Sequence, residues 1–523
     1  MAFLAANSNR PGARNRNRRW TYGAIVLLAA LAYTVHFVLY SPPRRNSAHH
    51  ADVDPMHTSP YIDAVTQRGR GCSSITLFER RNEPSFWAVD VVAGARPRIR
   101  VSPVDADYYY NCPSLAHAMF SVWVDYESET RHVATPPAQS PMGVYTFEVL
   151  PEPILSQETT RPSAGLRVRL EFGFWPGGEI GQPCNAIECQ PDHLAHIGIK
   201  FSGKEILDRN HTRPRIQWRS LPSTSRSRES SLDYCTNLDP LPVAYVPATQ
   251  SFAFSDGKGS RCRTRSAGDL LPFRPPLRWI QVHGDSNCRY LIFELADTLG
   301  LHEVIIHIEP EHSNLATTAV CHDGTGTGIV LVYRWLFLEH WPSDVDFLDA
   351  VRLTSLKAFL DSIPFPAGTT WPASFDNPGL RPTDLFISFG SHAQRLFEMG
   401  YTAAIDRLRP GLSRVMQFSR STYFLLVAAA EPAEVPGKYA GDEIVRNNRM
   451  LELQNDLARV YFHSHSPKTT IIDFYSMTRT LPFDLRIDSV HFRPEVYRTQ
   501  ADLMWTAMYA TDEQQQRQQH NPA

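Results

Sequence analysis

The feature that most restricts the fold of this chain is the alternation of short apolar runs with helical patterns after Leu277. The strand-like runs are residues 279–282, 303–308, 384–389, 423–429 and 470–474. Helical patterns occur at residues 288–299, 392–409 and 442–463, and a last amphipathic helix is predicted over 494–509. Because parallel strands need crossover connections, this alternation predicts an α/β domain whose mostly parallel sheet is covered by helices on both faces.

Between residues 72 and 265 the pattern is different, with short β-type runs separated by turns. In the run 166–172 apolar and charged residues alternate with a period of two, which is typical of a half-buried strand. Several such strands at short spacing predict a β-rich, antiparallel domain that resembles a sandwich. The α/β domain is then predicted over 275–511, and the glutamine-rich segment 512–523 is predicted to be a disordered tail.

An uncharged stretch of 21 residues, 20–40, precedes both domains. As a helix it would cover roughly 30 Å, the thickness of the apolar part of a bilayer. Five arginines precede the stretch and two follow it closely, which predicts a cytoplasmic tail over 1–19 and a lumenal body. The alternative is a cleaved signal peptide, whose apolar core would be shorter, about 7–15 residues. Residues 41–71 show no periodicity and are predicted to form a stem.

Cysteine usage agrees with an oxidising compartment, and the net charge bears on the kind of partner. The chain has 8 cysteines, all after the apolar stretch, so several disulfides are expected, although the sequence does not determine their pairing. Asn210 begins an Asn-x-Thr sequon, a predicted glycosylation site. The formal net charge of −2 argues against a nucleic-acid partner, which would call for a basic excess.

Two short motifs carry the candidate chemistry. Gly284-Asp285-Ser286 follows the first strand of the α/β half, and Asp488-x-x-His491 follows its last strand. A serine at a strand-to-helix turn has an exposed hydroxyl, and its own N–H points from a helix N-terminus toward a developing oxyanion. Serine needs a base to become a nucleophile. We therefore predict that His491 takes the proton of Ser286 while Asp488 orients the imidazole.

The alternative interpretation is that these motifs are structural. Gly284-Asp285-Ser286 would then be an ordinary helix N-cap, and His491 a surface histidine. The Asp-x-x-His spacing is weak by itself, because Asp54 and His57 repeat it in the predicted stem. The placement of the two motifs favours catalysis, because one closes the first strand of the α/β half and the other follows its last strand.

The same motifs resemble a known family. Gly284-Asp285-Ser286 with Arg289, together with Asp488-x-x-His491, is similar to the PC-esterase branch of the SGNH (GDSL-type) hydrolases. Within that branch the apparent anchor and the β-rich half are most similar to NXPE-type (neurexophilin and PC-esterase domain) proteins. Trichome-birefringence-like polysaccharide O-acetyltransferases share the pattern. The resemblance implies a three-layer α/β/α fold and a Ser286-Asp488-His491 triad. It also implies an O-acyltransferase or carbohydrate esterase of the Golgi or another secretory-pathway membrane, which moves or removes acyl groups, usually acetyl, on sugar hydroxyls.

The chain departs from that family pattern where the oxyanion is bound. Most SGNH hydrolases have Gly-x-Asn-Asp after the third strand, whereas this chain has Gly390-Ser391-His392. The resemblance therefore leaves Gly390, His392 and Arg289 as candidates for binding the oxyanion or the substrate. The glycine-rich segment 323–328 is a further candidate source of backbone N–H groups, with a flexible loop as the alternative.

The expected partners are a glycan or polysaccharide acceptor and the membrane, and no metal or tightly bound cofactor is predicted. An acyl donor such as acetyl-CoA is the expected co-substrate. A type II glycosyltransferase is the competing enzyme class, but its Asp-x-Asp motif occurs three times, at 52–54, 105–107 and 344–346, and so discriminates nothing. A non-enzymatic glycan- or peptide-binding protein is the other alternative, because the usual asparagine is absent.

Overall fold

The computed structural model describes a large part of the chain between residues 83 and 520. The described residues are 83–92, 97–104, 119–125, 130–133, 144–149, 163–172, 204–206, 214–217, 232–246, 248–255, 261–272, 275–308, 317–326, 328–335, 355–391, 409, 412–413, 416–417, 419–430, 448–479, 481–488 and 490–520. All of them belong to one compact unit, Pro60–Ala523.

The first part of the described chain forms two antiparallel sheets. The smaller sheet has the order β1-β2-β5, and the larger has the order β11-β10-β9-β4-β3-β6-β7, with β8 paired to β6. The strands are β1 (Trp87–Val92), β2 (Arg98–Pro103), β3 (Met119–Asp125), β4 (Thr130–Val133), β5 (Tyr145–Glu148), β6 (Ser163–Phe172), β7 (Lys204–Ile206), β8 (Arg215–Gln217), β9 (Val243–Val246), β10 (Ser251–Ser255) and β11 (Arg261–Cys262). Side chains of both sheets, such as Ile99 and Val122, share one hydrophobic cluster.

The second part contains a seven-stranded sheet with the order β13-β14-β15-β12-β16-β17-β18. The strands are β12 (Leu277–Gly284), β13 (Glu303–Ile308), β14 (Thr317–His322), β15 (Gly328–Trp335), β16 (Asp384–Ile387), β17 (Ser421–Leu425) and β18 (Thr470–Ile472). β15, β12, β16, β17 and β18 run parallel, and β13 and β14 add an antiparallel edge. The prediction of a mostly parallel sheet is confirmed.

Five α-helices occur in the described part of the chain. They are α1 (Ser286–Thr298), α2 (Leu356–Asp361), α3 (Asn448–His465), α4 (Phe474–Arg479) and α5 (Pro494–His520). Single 3-10 turns lie at Pro84–Phe86, Ala373–Asp376 and Phe483–Leu485. Local residue preferences explain where two of these helices begin. Asp285 caps the N-terminus of α1, and α5 begins with a proline, which suits the first turn of a helix.

Strand β12 is the centre of the core. All eight of its residues are buried, and the side chains of Ile280 and Val282 pack in a cluster with α1 and α5. That cluster also includes Leu241 and Phe254 from the segment before β12. In addition, Trp123 Nε1 on β3 donates to the carbonyl of Arg479 at 2.9 Å. The earlier antiparallel sheets are therefore packed directly against the elements of the parallel sheet.

The sequence did not predict the hairpin of β14 and β15, which the glycine-rich segment 323–328 connects. Asp323 Oδ1 accepts hydrogen bonds from the backbone N–H groups of Thr325 and Gly326, both at 2.9 Å. Gly324 and Gly326 have positive φ values of 80° and 70°, which glycine tolerates at no steric cost. The segment therefore forms a tight turn and makes β13, β14 and β15 a continuous meander.

One disulfide is found in the described residues, between Cys235 and Cys262. Cys288 and Cys321 are free thiols, both buried in the core. The other four cysteines, at positions 72, 112, 184 and 189, lie outside the described residues. The general expectation of an oxidising compartment therefore stays a prediction.

The prediction of a disordered tail over 512–523 is wrong for residues 512–520, which continue helix α5 to His520. Glutamine, glutamate and arginine are good helix formers, so the polar composition of this segment does not oppose a helix. Asp512 is 1% exposed and accepts a hydrogen bond from Arg278 Nη1 at 2.7 Å. Arg278 also forms a two-point pair with Asp384 at 2.7 and 2.9 Å. The tail is thus anchored to the central strand by a buried ion network.

We expect Asp512→Asn to lower the free energy of unfolding by about 3 kcal/mol, because one anion partner of a buried guanidinium is lost. Glu513→Gln is the matched control, since Glu513 is 47% exposed and pairs only with Arg517 on the helix surface among the described contacts. Its change should stay within about 0.5 kcal/mol. Urea denaturation of both variants measures the difference, and equal midpoints would contradict the anchoring role of Asp512.

Candidate active site

Ser286 lies at the carboxyl end of β12, where the order of the sheet reverses. β12 pairs in parallel with β15 on one side and with β16 on the other. The strands on both sides of β12 therefore run toward the same edge of the sheet, and ligands of open α/β sheets bind at such a switch point. The structure places Ser286 as the first residue of α1, at the strand-to-helix turn that the sequence predicts. Only 5% of the residue is exposed.

Contacts within the turn explain the two residues that precede Ser286. A Cβ atom on Gly284 would overlap Sγ of Cys288, so glycine is required at the end of β12. Asp285 Oδ1 accepts a hydrogen bond from the backbone N–H of Asn287 at 2.9 Å and so caps α1. Asp285 Oδ2 accepts from the N–H and the hydroxyl of Ser391, at 2.8 and 3.1 Å. One carboxylate therefore joins this turn to the loop after β16.

Gly390, a predicted oxyanion- or substrate-binding residue, lies directly against the turn. Its φ is +70°, and a Cβ atom there would lie 2.8 Å from Cβ of Asp285, so the position demands glycine. Its N–H donates to Ser388 Oγ at 3.3 Å, and its carbonyl accepts from Gln454 Nε2 at 3.0 Å. Gly390 thus allows the close approach of two loops. His392, which was predicted together with Gly390, lies outside the described residues.

Ser286, His491 and Asp488 form a continuous chain of hydrogen bonds. Ser286 Oγ lies 2.6 Å from His491 Nε2, although 205 positions separate the two residues in the sequence. His491 Nδ1 lies 2.8 and 3.0 Å from the two carboxylate oxygens of Asp488. In this order of contacts a histidine can take the proton of a serine while a carboxylate orients the ring. The fold thus brings together the three residues that the sequence singled out.

The Asp-x-x-His spacing has a local physical cause. Asp488 Oδ1 accepts hydrogen bonds from the backbone N–H groups of Val490 and His491, both at 2.9 Å. Burial alone would raise the pKa of Asp488, but the side chain of His491 and these two N–H groups outweigh it and lower that pKa to about 2. The carboxylate is therefore ionised at neutral pH and can only accept hydrogen bonds. His491 Nδ1 must then carry a proton, which leaves Nε2 to accept from the Ser286 hydroxyl.

A buried arginine supports the loop that carries His491. Arg486 donates to the carbonyls of Ala429 and Thr478, both at 2.9 Å, and its guanidinium lies 4.8 Å from the ring centre of Phe492. Arg486 and Phe492 also form an isolated antiparallel bridge across the loop. The loop is therefore closed on itself and fixed to the ends of β17 and α4.

Arg289 and Tyr290 lie beside the serine and the histidine. Arg289 follows Ser286 by three positions, so the two side chains share one face of α1. Its guanidinium carbon lies 5.4 Å from the ring centre of Tyr290 and 5.8 Å from that of Trp335. The Tyr290 ring packs edge-on against the imidazole of His491 at 5.3 Å. The Tyr290 ring therefore lies between the imidazole of His491 and the guanidinium of Arg289 in this chain of contacts.

Cys288, two positions after Ser286, is not a competing nucleophile. Its side chain is buried and contributes to the core cluster. Burial raises the pKa of the Cys288 thiol well above its usual range, as it raises the pKa of Cys321 to about 12. A thiol reacts as its thiolate, so both cysteines are inert in this fold.

The glycine-rich segment 323–328 does not reach the serine. Gly328 pairs with Leu277, and Trp335 pairs with Gly284, so the hairpin turn lies at the opposite end of β12 from Ser286. Seven residues of strand separate the two ends, which is roughly 23 Å. The hypothesis that this segment supplies N–H groups to the site is therefore wrong.

Several predicted features lie outside the described residues. They are the apolar stretch 20–40, the sequon at Asn210 and the Asp-x-Asp segment 344–346. Within the described ranges no helix combines the length and the apolarity needed to cross a bilayer. In the same part of the chain no three His, Cys, Asp or Glu side chains are grouped so that they could hold a metal ion.

Comparison with known proteins gives no further guide to the site. No protein-family model, no curated protein and no solved structure matches this chain. A functional interpretation therefore depends on the geometry of the site and on the motifs of the sequence.

Residues that support the triad were not predicted from the sequence. Among them Tyr290 contacts the imidazole, Arg486 holds the histidine loop, and Gln454 holds the peptide of Gly390. Each acts across a contact between segments that are distant in sequence, although Tyr290 itself is only four positions after Ser286 on α1. Its helical spacing is the one signal that could have drawn attention to it.

The lowered pKa of Asp488 predicts a specific dependence of stability on pH. Because the pKa is about 2 in the folded chain and 3.8 ordinarily, ionised Asp488 contributes about 2 kcal/mol above pH 4. This contribution is lost as the pH falls toward 2. We expect the difference in unfolding free energy between the wild type and Asp488→Asn to shrink by about 1 kcal/mol from pH 5 to pH 3. A difference that is constant or grows over this range, measured by urea denaturation, would contradict the assignment.

Proposed function

We propose that this protein transfers an acyl group, most simply acetyl, to or from sugar hydroxyls through an acyl-enzyme on Ser286. The observation that carries the proposal is the hydrogen-bond chain from Ser286 Oγ through His491 to Asp488. An ionised carboxylate, a histidine with a free Nε2 and a serine at a helix N-terminus are the parts that acyl transfer requires.

In the first step His491 Nε2 takes the proton of Ser286 while Oγ forms a bond to the carbonyl carbon of the donor. The tetrahedral intermediate expels the alcohol or thiol of the donor, which receives that proton from His491. In the second step His491 takes a proton from a sugar hydroxyl or from water, whose oxygen displaces Ser286 from the acyl carbon. Ser286 regains its proton, so transfer and hydrolysis use the same residues and differ only in the acceptor.

Stabilisation of the oxyanion is assigned to the N-terminus of α1 and to Arg289. The backbone N–H of Ser286 belongs to the first turn of α1, whose unpaired N–H groups favour an anion. Arg289 adds a full charge on the same face of the helix. Gly390 is proposed to shape this wall of the site, and His392 is a further candidate donor from the loop after β16.

The substrate class and the compartment are proposed from the resemblance to PC-esterases. The proposed acceptor is a glycan or polysaccharide, and the proposed acyl donor is a compound such as acetyl-CoA. The proposed location is a Golgi or other secretory-pathway membrane, in which a helix over 20–40 would anchor the protein. In this proposal the parallel sheet is the central layer of an α/β/α SGNH-type domain, and the antiparallel sheets form a sandwich-like domain. Asn210 would carry a glycan.

A fluorophosphonate probe tests the proposal, because it phosphonylates serines that a histidine activates. The purified full-length chain should be labelled at Ser286, and Ser286→Ala and His491→Ala should abolish labelling. Ser464→Ala, an exposed serine at the end of α3, is the matched control and should label like the wild type. The same variants should follow this pattern in turnover of p-nitrophenyl acetate. A folded wild-type chain that is never labelled, yet binds glycans, would instead indicate a binding protein.

The proposed role of the Arg289 charge in stabilising the oxyanion is tested separately. We expect Arg289→Met, which keeps an unbranched side chain, to reduce kcat/KM for p-nitrophenyl acetate about 100-fold, the range for losing one oxyanion donor. Arg498→Met is the control, since Arg498 is 52% exposed and pairs with Glu294 on the outer side of α1 and α5. Equal rates for the two variants would show that Arg289 does not act on the oxyanion.

A further inference from the structure

One buried hydroxyl, which is not part of the proposed triad, connects the segment that carries Ser286 to the segment that carries His491. Tyr497, on the first turn of α5, donates from its hydroxyl to Asn287 Oδ1 at 2.8 Å. The hydroxyl oxygen of Tyr497 in turn accepts a hydrogen bond from the backbone N–H of Phe492 at 3.2 Å. Asn287 directly follows Ser286, and Phe492 directly follows His491. The hydroxyl therefore bridges the two neighbours of the reacting pair.

We propose that Asn287 and Tyr497 are positioning residues that set the distance between Ser286 Oγ and His491 Nε2. This inference rests on the proposed function, because it assigns these residues to the same serine. Neither needs to touch substrate: both are buried, with 9% and 2% of their surface exposed.

The aromatic contacts point the same way. The Tyr497 ring stacks on the Tyr290 ring at 5.6 Å, and the Tyr290 ring packs edge-on against His491 at 5.3 Å. The imidazole of His491 thus packs against the Tyr290 ring, and the backbone N–H of the next residue, Phe492, is held by the Tyr497 hydroxyl. Burial raises the pKa of Tyr497 well above its usual range, so the hydroxyl keeps its proton and its donor role across the working range of pH.

The effect of the Tyr497 hydroxyl can be measured separately from the packing of the Tyr497 ring. Tyr497→Phe keeps the stacked ring in the core and removes both hydrogen bonds. Asn287→Ala removes the acceptor and leaves the ring in place. If the bridge positions the catalytic pair, each variant slows the reaction at Ser286 without weakening substrate binding, because misplacement of a reacting group lowers kcat rather than affinity.

A double-mutant cycle on the full-length chain tests the bridge. We expect Tyr497→Phe and Asn287→Ala each to slow fluorophosphonate labelling and kcat for p-nitrophenyl acetate by about 10- to 100-fold, with KM nearly unchanged. The double variant should be no slower than the slower single variant, since the same interaction is lost. Tyr423→Phe is the matched control, because its buried hydroxyl donates to Asp384 at the far end of the sheet.

Each outcome bears on a different claim. An unlabelled wild-type chain removes the proposed function and the bridge together. A labelled wild type with unchanged rates in Tyr497→Phe overturns the bridge alone. Multiplicative effects in the double variant, or a similar rate loss in Tyr423→Phe, would show a general effect of stability and also overturn it. If Tyr497→Phe does not fold, Asn287→Ala with its kcat and KM decides the question.

Discussion

The carboxylate of Asp285 is the interaction on which the geometry of the site depends. It accepts hydrogen bonds from the N–H of Asn287 and from both donors of Ser391, and so fixes the start of α1 to the loop after β16. Asp285 is 2% exposed, so these bonds form away from competing water. Gly390 has no side chain because the two loops approach within van der Waals distance at this point. This carboxylate, together with the Tyr333 hydroxyl that donates to the carbonyls of Gly284 and Asp285, fixes the turn that carries Ser286.

Helix α5 ties the two ends of the central strand together. Near its start Tyr497 contacts the residue after Ser286, and fifteen positions later Asp512 binds Arg278 at the beginning of β12. Fifteen helical residues rise roughly 22 Å, close to the length of β12 in extended conformation. α5 therefore runs alongside β12 over a similar length. The loop that carries His491 leads directly into α5. The ion network at one end and the Tyr497 contacts at the other therefore fix α5 along β12.

Local sequence patterns were enough to predict four of the five parallel strands, all but β15, and the turns that carry Ser286 and His491. Each depends on neighbours in the chain: the period of apolar residues in β12, the N-cap at Asp285 and the turn around Asp488. The partners of Arg278 and of Tyr497 could not be predicted, because no local pattern states which distant side chain completes a buried bond. The segment 512–520 was mistaken for a tail for the same reason. Its surface-like composition conceals Asp512, whose burial is set by a partner 234 positions away.

This chain has no asparagine at the place after β16 where most SGNH hydrolases carry one. The contacts of the loop after β16 show what its backbone groups do instead. Ser391 N–H is bound to Asp285, the N–H of Gly390 faces Ser388, and its carbonyl faces Gln454. Within the described residues this loop is therefore a structural support. In the proposed mechanism, the charge of a tetrahedral intermediate would be met mainly from the side of α1, by the backbone N–H of Ser286 and by Arg289. An arginine one turn after the serine would then replace a neutral amide donor by a full charge, and charge-assisted hydrogen bonds are roughly twice as strong as neutral ones.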